Sequence, residues 1–600
     1  MKKHYETHVE DTDKLISVAG PILEYKSWYE QYRKLMEEQA QRKYGLYTPT
    51  SEGDDDDFPS IPGTIARYSA LGLTNEEMSK NPVWVDKTGN GHDLQMKNFA
   101  WGGMSGVNGY VQNFNYFRNN ATVDKVRIDE QSSNSIKVTL LTSGMGHVIY
   151  IPKDIYQFNK SYFIKISSEG YNEGYNEGDL FLSFYAPSTS TATTVKVPLN
   201  PNGITEIPAI KEDDFLAVYL FNAAGKVGSI TIEQLPLYPG ALVFDGVDDY
   251  GVCDNFPILT KEKGYTVVAL RQWISIDGGP CGLVSNVKHW FEDGAFVLES
   301  LYPDSIYTTS FGATRGQKYL PHILTYQTSK SYNGNLIATG SYKGTDVLHV
   351  GRLVSTNVGA RSNVAIWELV FLDHDATEEE LTKIKDYFVK TYPWLFFDQA
   401  WTVTGKTNED EDRATIANIT GNGNDLVLSN FGFIEGSGYN EEGEYAGYLV
   451  TDGVDDKVVS AESIAFTDTW TIITDTVFLG KVSVASGILA SNIFTVYNYQ
   501  GSGTIAVTMG EGGSSLRVIT SSIKAFSSDG TIYDAEWNEY HVEIGTIRAL
   551  ERLLKIGTSS NETSYFCQLA FKFLGIYNNQ ILSKDDCIKA YNYLQTLKAK

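Results

Sequence analysis

Along much of the chain, apolar and polar residues alternate with a period of two. In Ser135–Leu141, Ile136, Val138 and Leu140 alternate with Lys137 and Thr139, and Tyr162, Ile164 and Ile166 alternate with Phe163 and Lys165. Successive side chains of a strand point to opposite faces, so this pattern predicts half-buried strands. Leu180–Tyr185, Thr194–Val197, Phe215–Phe221 and Val227–Ile232 read the same way, with turn residues at Asn202-Gly203, Asn222 and Gly225. Eight or so short strands over 115–237 predict a two-sheet sandwich. Helical spacing is confined to three places. Over 7–44, one apolar cluster (Leu15, Ile16, Val18, Ala19, Ile22, Leu23) and a second (Trp28, Tyr32, Leu35, Met36) flank Pro21, which breaks or restarts the helix. The other two helices follow Thr377 and Ser583, each a hydroxyl residue with an acid three positions on, which is the pattern of a capped helix start. In the first of them Leu381, Ile384, Tyr387 and Phe388 share one face.

Several of these signals occur twice. Thr88-Gly89-Asn90-Gly91-His92-Asp93-Leu94 returns as Thr420-Gly421-Asn422-Gly423-Asn424-Asp425-Leu426, each followed by Asn-Phe (Asn98-Phe99, Asn430-Phe431). Gly72-Leu73-Thr74-Asn75 matches Gly405-Lys406-Thr407-Asn408, and Leu242 to Asp249 matches Leu449 to Asp456. Asp245 and Thr377 stand 132 positions apart, and Asp452 and Ser583 stand 131 apart, as two copies of one unit require. Thr88 and Asp245, however, are separated by 157 positions, against 32 from Thr420 to Asp452. The first copy therefore carries about 125 extra residues, a size that is tolerated at an exposed loop when the insert folds on its own. The predicted division is a helical arm over 1–46, an acidic, Pro-bearing linker over 47–63, a discontinuous first copy over 64–114 and 238–395, an inserted sandwich over 115–237, and a second copy over 398–600. The apolar junction 391–398, with Pro393, Trp394, Phe396 and Phe397, predicts that the copies pack together.

Composition narrows the function. The chain has 38 Tyr, 28 Phe, 10 Trp and 54 Gly, which favours many short strands joined by turns, and a net charge of −25, which argues against binding nucleic acid or anionic membrane. Four cysteines in 600 residues make no disulfide framework. The basic start at Lys2-Lys3 runs into acidic and polar residues without an apolar stretch, and no window reaches the ~18 apolar residues of a membrane span, so cytoplasmic synthesis without an encoded exit is expected.

Candidate chemistry is sparse. The Thr-Gly-Asn-Gly turn lacks the Lys-Ser/Thr of a phosphate loop. Asp245, Asp248 and Asp249, with Asp452, Asp455 and Asp456, could offer calcium its oxygens, or simply form a turn after a strand. The expectation is no cofactor and no metal, with calcium as the alternative. Tyr171-Asn172-Glu173-Gly174 repeats at once as Tyr175-Asn176-Glu177-Gly178, either as tyrosines that stack on a ligand or as a local duplication. The nine histidines form no zinc-protease pattern, there is no Gly-x-Ser-x-Gly elbow, and Trp367-Glu368-Leu369 is the nearest approach to an exposed-acid strand. A glycosidase needs two carboxylates across a cleft, so no catalytic residue is assigned and no enzyme is expected.

The Thr-Gly-Asn-Gly-His-Asp-Leu turn, followed by a strand ending Phe-Asp-Gly-Val-Asp-Asp-Tyr, resembles the concanavalin A-like, laminin-G-like jelly-roll modules, once over 64–114 plus 238–395 and again over 398–600. The second copy departs from the pattern at Thr451 and Lys457, where the first has Phe244 and Tyr250. The resemblance implies a mainly β protein of two such sandwiches, with glycan or protein ligands and, in some members, calcium. The helical arm, Gly72 to Glu77 and the run Trp84 to Gly106 are also similar to virion proteins of gut-bacterial tailed phages, including the crAss-like group. That likeness implies a structural head or tail fibre or decoration subunit located in the virion. It would be a homo-oligomer anchored to other virion proteins by the arm, displaying its sandwiches to glycans or host-surface proteins, with no nucleic-acid partner and no membrane insertion. A bacterial carbohydrate-binding or adhesive surface protein is the first alternative, and a glycan-cleaving enzyme dependent on Glu368 the second.

Overall fold

The computed structural model describes residues 57–119, 126–140, 146–169, 180–185, 193–199, 204–214, 216–222, 228–259, 264–275, 281–285, 297–302, 305–307, 319–327, 346–353, 360–421, 423–441, 445–480, 486–491, 494–498, 505–509, 515–518, 520–545, 550–558 and 566–599. The helical arm, most of the acidic linker and the Tyr-Asn-Glu-Gly duplication lie outside these residues. Everything below concerns the compact unit that begins at Phe58. Among the described residues no helix is long and apolar enough to cross a membrane.

The fold is mainly β, built of antiparallel sheets in facing pairs. In the first pair, one sheet runs His322–Gln327, Thr266–Ser275, Asn363–Leu372, Leu242–Asp245, Gly106–Val107, with Thr64–Ser69 also on Asn363–Leu372. The other sheet runs Val83–Trp84, Leu94–Lys97, Tyr250–Cys253, Leu348–Val350, Cys281–Ser285, Val297–Tyr302, Ser305–Tyr307. Trp84, Leu94, Cys253, Leu283 and Val350 of one meet Phe244, Val267, Ala269, Ile366 and Phe371 of the other in a single core. Residues 399–578 repeat the arrangement and add strands at the sheet edges, Thr531–Asp534 and Glu539–His541 on one sheet and Ser515–Val518 on the other. Gln399–Thr402 and Tyr448–Val450 lie on Leu569–Asn578, which is flanked by Trp470–Phe478 and then Ile523–Ser527. The facing sheet starts Thr415–Ile416, Leu426–Ser429, Lys457–Ser460, Lys555–Ile556, Ser486–Ala490.

The chain leaves the first copy after Gly106–Val107 and returns at Leu242. The equivalent step in the second copy, from Gly438–Asn440 to Tyr448–Val450, takes only residues 441–447. Strands within 118–234 form two five-stranded sheets that pair only with each other among the described residues. Their inward residues, such as Ile136, Val138, Ile164, Ile166, Leu180, Leu182, Leu220 and Ile232, close a core of their own. These are the apolar members of the alternating segments in the sequence.

Besides a short helix, Asn75–Lys80, that the sequence reading did not anticipate, two longer helices pack between the copies. Glu378–Thr391 opens with a complete capping box, in which the Thr377 hydroxyl accepts from Glu380 N–H and the Glu380 carboxylate accepts from Thr377 N–H. Lys584–Leu594 has only half of one. Ser583 accepts from Asp586 N–H, but the shorter Asp586 carboxylate bonds the Ser583 hydroxyl instead of returning to the backbone. Leu381, Ile384, Tyr387 and Phe388, all buried, join Trp367, Tyr392, Trp394, Leu395, Phe573, Tyr577, Tyr591 and Tyr593 in one cluster spanning both copies. Fully burying a side chain of this size is worth about 1.5–3 kcal/mol, so separating the copies would cost far more than a typical loop contact holds. The insert leans on the same region. Lys572 Nζ lies 3.3 Å from Glu206 Oε1, and the Phe163 and Tyr591 rings meet edge to face at 5.9 Å. Behind them, burial raises the Asp475 carboxyl, but Lys524 and Lys572 outweigh it and hold Asp475 below the usual carboxylate range.

Candidate functional site

The duplicated motifs fold as clamps between turns. Asp86 Oδ1 accepts from the Thr88 N–H and hydroxyl and from Arg67 N–H, while Asp93 Oδ1 accepts from Asp86 N–H at 2.8 Å. Asn90 donates to the carbonyls of Thr64 and Ile65 and so ties the turn to the neighbouring strand. In the second copy Asn418 replaces Asp86 and accepts from Thr420 in the same way, and Asp425 replaces Asp93. Asn98 and Asn430 both adopt left-handed backbone, φ 68° and 71°, and donate at 3.0 Å to the carbonyls of Asp248 and Asp455. Asn75 and Asn408 each accept from the strand N–H of Val107 or Tyr439. The motifs recur in sequence because the same turn-to-turn contacts recur in space.

The acidic turns belong to this scaffold. Asp245, Asp248 and Asp249 bring carboxylate oxygens within 4.8 Å of one another, as do Asp452, Asp455 and Asp456. Several of those oxygens close the turn itself. Asp245 Oδ1 accepts from Val247 N–H at 2.7 Å, Asp249 Oδ2 from Asp245 N–H at 3.0 Å, and Asp249 Oδ1 from the Ser105 hydroxyl at 3.0 Å. Asp452 and Asp456 repeat the backbone contacts, but Asp456 Oδ1, unlike Asp249 Oδ1, is buried without a hydrogen-bond partner. Burial first, and Asp245 second, push Asp249 up to about 7, and burial pushes Asp456 up to about 6. The hydrogen bonds within each cluster are those of a turn that closes a strand.

Glu368 requires a correction. The sequence places it on an exposed-acid strand, but it is fully buried. Arg67 Nε donates to its Oε2 at 3.1 Å and Nη2 to its Oε1 at 3.2 Å, and the Tyr392 hydroxyl donates to Oε1 at 2.9 Å. The Arg67 guanidinium also donates to Tyr387 and lies 4.2 Å from the Phe58 ring centroid. The alternation misleads here because Asn363–Leu372 is covered on both faces, by the sandwich core on one and by the helices on the other. A carboxylate so enclosed holds the helix to the sheet and does not face substrate.

An opening lies beside the first Thr-Gly-Asn-Gly turn, with a volume of about 380 Å³. Asn90, His92 and Asp373 supply polar groups, and Pro257, Ile258 and Leu259 an apolar wall. His92 Nδ1 is buried with no hydrogen-bond partner, while its ring sits edge-on to Phe256 at 5.6 Å. Gly63, at φ 77°, lets the backbone approach Asp373, since a Cβ there would stand 2.2 Å from Asp373 Oδ1. Ile258 is 53% exposed. A mixed lining of this kind suits a ligand with an apolar face and several hydroxyls. Sequence reading singled out the turn but not the cavity, because His92, Leu259 and Asp373 converge only in three dimensions.

No family model and no curated protein matches the chain. Solved structures with weak similarity include a Trypanosoma rangeli sialidase in complex with sialic acid, at 9% identity and TM-score 0.23, covering 79% of this chain and 85% of that one. Others are the CBM22-1–CBM22-2 tandem of Paenibacillus barcinonensis Xyn10C, at 9% identity and TM-score 0.15, covering 46% of this chain and 99% of that one, and a botulinum neurotoxin type C structure, at 8% identity and TM-score 0.23, covering 56% and 90%. Scores this low carry no weight for fold or ligand.

Proposed function

We propose that this chain is a display protein whose β-sandwiches bind glycan, and that it serves as a head or tail fibre or decoration subunit of a phage virion. The cavity at His92, Ile258 and Asp373 is the observation that carries the glycan reading. It pairs an apolar wall with polar residues, Asn90, His92 and Asp373. The duplicated sandwiches, locked by a shared core, suit a protein that holds binding surfaces at a fixed spacing. The virion assignment rests on the sequence resemblance. The absence of an assigned catalytic carboxylate pair, with Glu368 committed to Arg67, favours binding over cleavage.

The test uses the full chain on a glycan panel. Gly63→Ala, which drives a methyl group into Asp373, and Ile258→Ser should each weaken a neutral-glycan hit by about tenfold or more, the value of one lost apolar or polar contact in a pocket. Wild-type binding unaltered by both would remove this cavity from the proposal. Release of oligosaccharide would instead favour the enzyme reading. For the virion role, washed phage particles should contain the protein by electron microscopy and immunolabelling, and its absence from them would end that part.

A further inference from the structure

At the opposite end of the sequence logic, a cluster of cations appears where no motif announced one. Gly351, at φ 75°, ends the strand Leu348–Val350, and a Cβ there would stand 2.2 Å from the Phe244 ring, so the chain must turn out of the sheet as glycine. Arg352–Leu353 and Ala360–Arg361 then pair, with Arg352 directly opposite Arg361. Both guanidiniums lie against Tyr250, the first residue of the neighbouring strand, with Cζ 4.0 Å and 5.1 Å from its ring centroid. Lys97, exposed, stands opposite Tyr250 on the next strand. Close by, His349 is 7% exposed, and burial, followed by the two arginines, pulls its pKa down to about 4, so it is neutral.

Arg352 also hydrogen-bonds Tyr250 through its side chain, yet part of the polar capacity of this cluster is unspent. Nε of Arg352, Nε of Arg361 and Nδ1 of His349 are all buried without a hydrogen-bond partner. Among the described residues neither guanidinium forms an ion pair. In a chain of net charge −25, two adjacent arginines with no counter-ion among the described residues are conspicuous. The aromatic ring attracts them but leaves their mutual repulsion in place.

The second copy serves as an internal control. Lys555 opposes Val459 as His349 opposes Val252, and Gly557 takes the N–H of Cys567 as Gly351 takes that of Ser362. The counterparts of Arg352, Arg361 and Tyr250 are therefore Thr558, Phe566 and Lys457. The fold is built without the arginine–tyrosine cluster, so the cluster is not there to hold the fold.

We propose that Arg352 and Arg361, stacked on Tyr250, form an oxyanion-binding site in the first copy that takes the carboxylate or sulfate of an acidic glycan. Guanidinium N–H groups in a fixed fork match the paired oxygens of either group. The anion would neutralise the two adjacent charges. The acidic-glycan identity rests on the glycan reading above, whereas the oxyanion site itself does not.

The test measures binding of the full chain to heparin (sulfated), polygalacturonate (carboxylated) and the neutral hit from the panel, with inorganic sulfate in a thermal-shift arm. Arg352→Gln/Arg361→Gln should weaken one or both charged probes by at least about tenfold and abolish stabilisation by sulfate, while neutral binding persists. Wild-type binding to the charged probes should also fall steeply with salt. Preference for heparin or for polygalacturonate identifies the group. Arg352→Lys/Arg361→Lys, which keeps charge without the fork, should fall between, and guards against a fold defect in the Gln pair. Sulfate stabilisation lost in the Gln variant, with no polysaccharide bound, would retain the oxyanion site and refute the glycan reading. Equal charged-probe binding by wild type and the Gln variant, or no response of wild type to any anion, would overturn the site.

Discussion

Substituting Glu368 separates a structural acid from a catalytic one. Glu368→Ala removes the acceptor for two Arg67 donors and for the Tyr392 hydroxyl, at a position where Arg67 is 4% exposed and Glu368 not at all. Stranding one member of such a buried pair costs about 3–5 kcal/mol. For a cooperative unit of 150–250 residues each kcal/mol moves Tm by about 2–4 °C, so a fall of roughly 6–20 °C is expected, toward the low end if all three sandwiches melt together. Arg67→Met/Glu368→Leu, which replaces both charges with apolar groups of similar size, should recover most of the loss, because no charge is left unpaired. Calorimetry of wild type, Arg67→Met, Glu368→Leu and the double variant closes a cycle, and the coupling energy between the positions should be large and favourable. A Glu368→Ala protein melting within about 1 °C of wild type would refute the ion-pair account. Normal stability combined with loss of a glycan-cleaving activity would revive the catalytic one.

Three further outcomes are expected. Asp249 has its folded-state pKa raised to about 7 from an ordinary value near 3.8, so the folded state binds the extra proton between those limits. Its contribution to stability is full below about pH 4 and is lost as pH rises through about 7, and Asp249→Asn should flatten that part of the Tm–pH curve; an unchanged slope would discount the shift. Millimolar calcium should leave the Tm of wild type unmoved, whereas a saturable rise that Asp245→Asn/Asp452→Asn removes would make the acidic turns ion sites. Thr377→Ala, which deletes the hydroxyl of the capping box, should cost about 1 kcal/mol by denaturant titration, and no loss would mean that the helix is fixed by its packing alone.

The mainly β class could be read from the sequence because alternation and turn chemistry are local. Ser135–Leu140 and Leu180–Tyr185 emerge as strands almost to the residue. The repeated motifs proved informative for the same reason, since Asn98 to Asp248 and Asn430 to Asp455 are one contact written twice. Glu368 was misjudged because period-two reasoning assumes one wet face, and Asn363–Leu372 has none. The cavity and the arginine cluster were invisible for another reason. His92 meets Leu259 and Asp373, and Arg352 meets Arg361 and Tyr250, only after distant segments are brought together, and no spacing rule encodes such meetings.

The apolar seam between the two copies has a practical consequence for dissection. Lifting either copy out would leave a greasy wall of tryptophan, tyrosine and phenylalanine facing water, and the fragment would aggregate before it could be assayed. The smallest piece fit for expression therefore starts near Phe58 and keeps everything downstream, and any swap of one copy between related chains must carry its partner's matching wall with it.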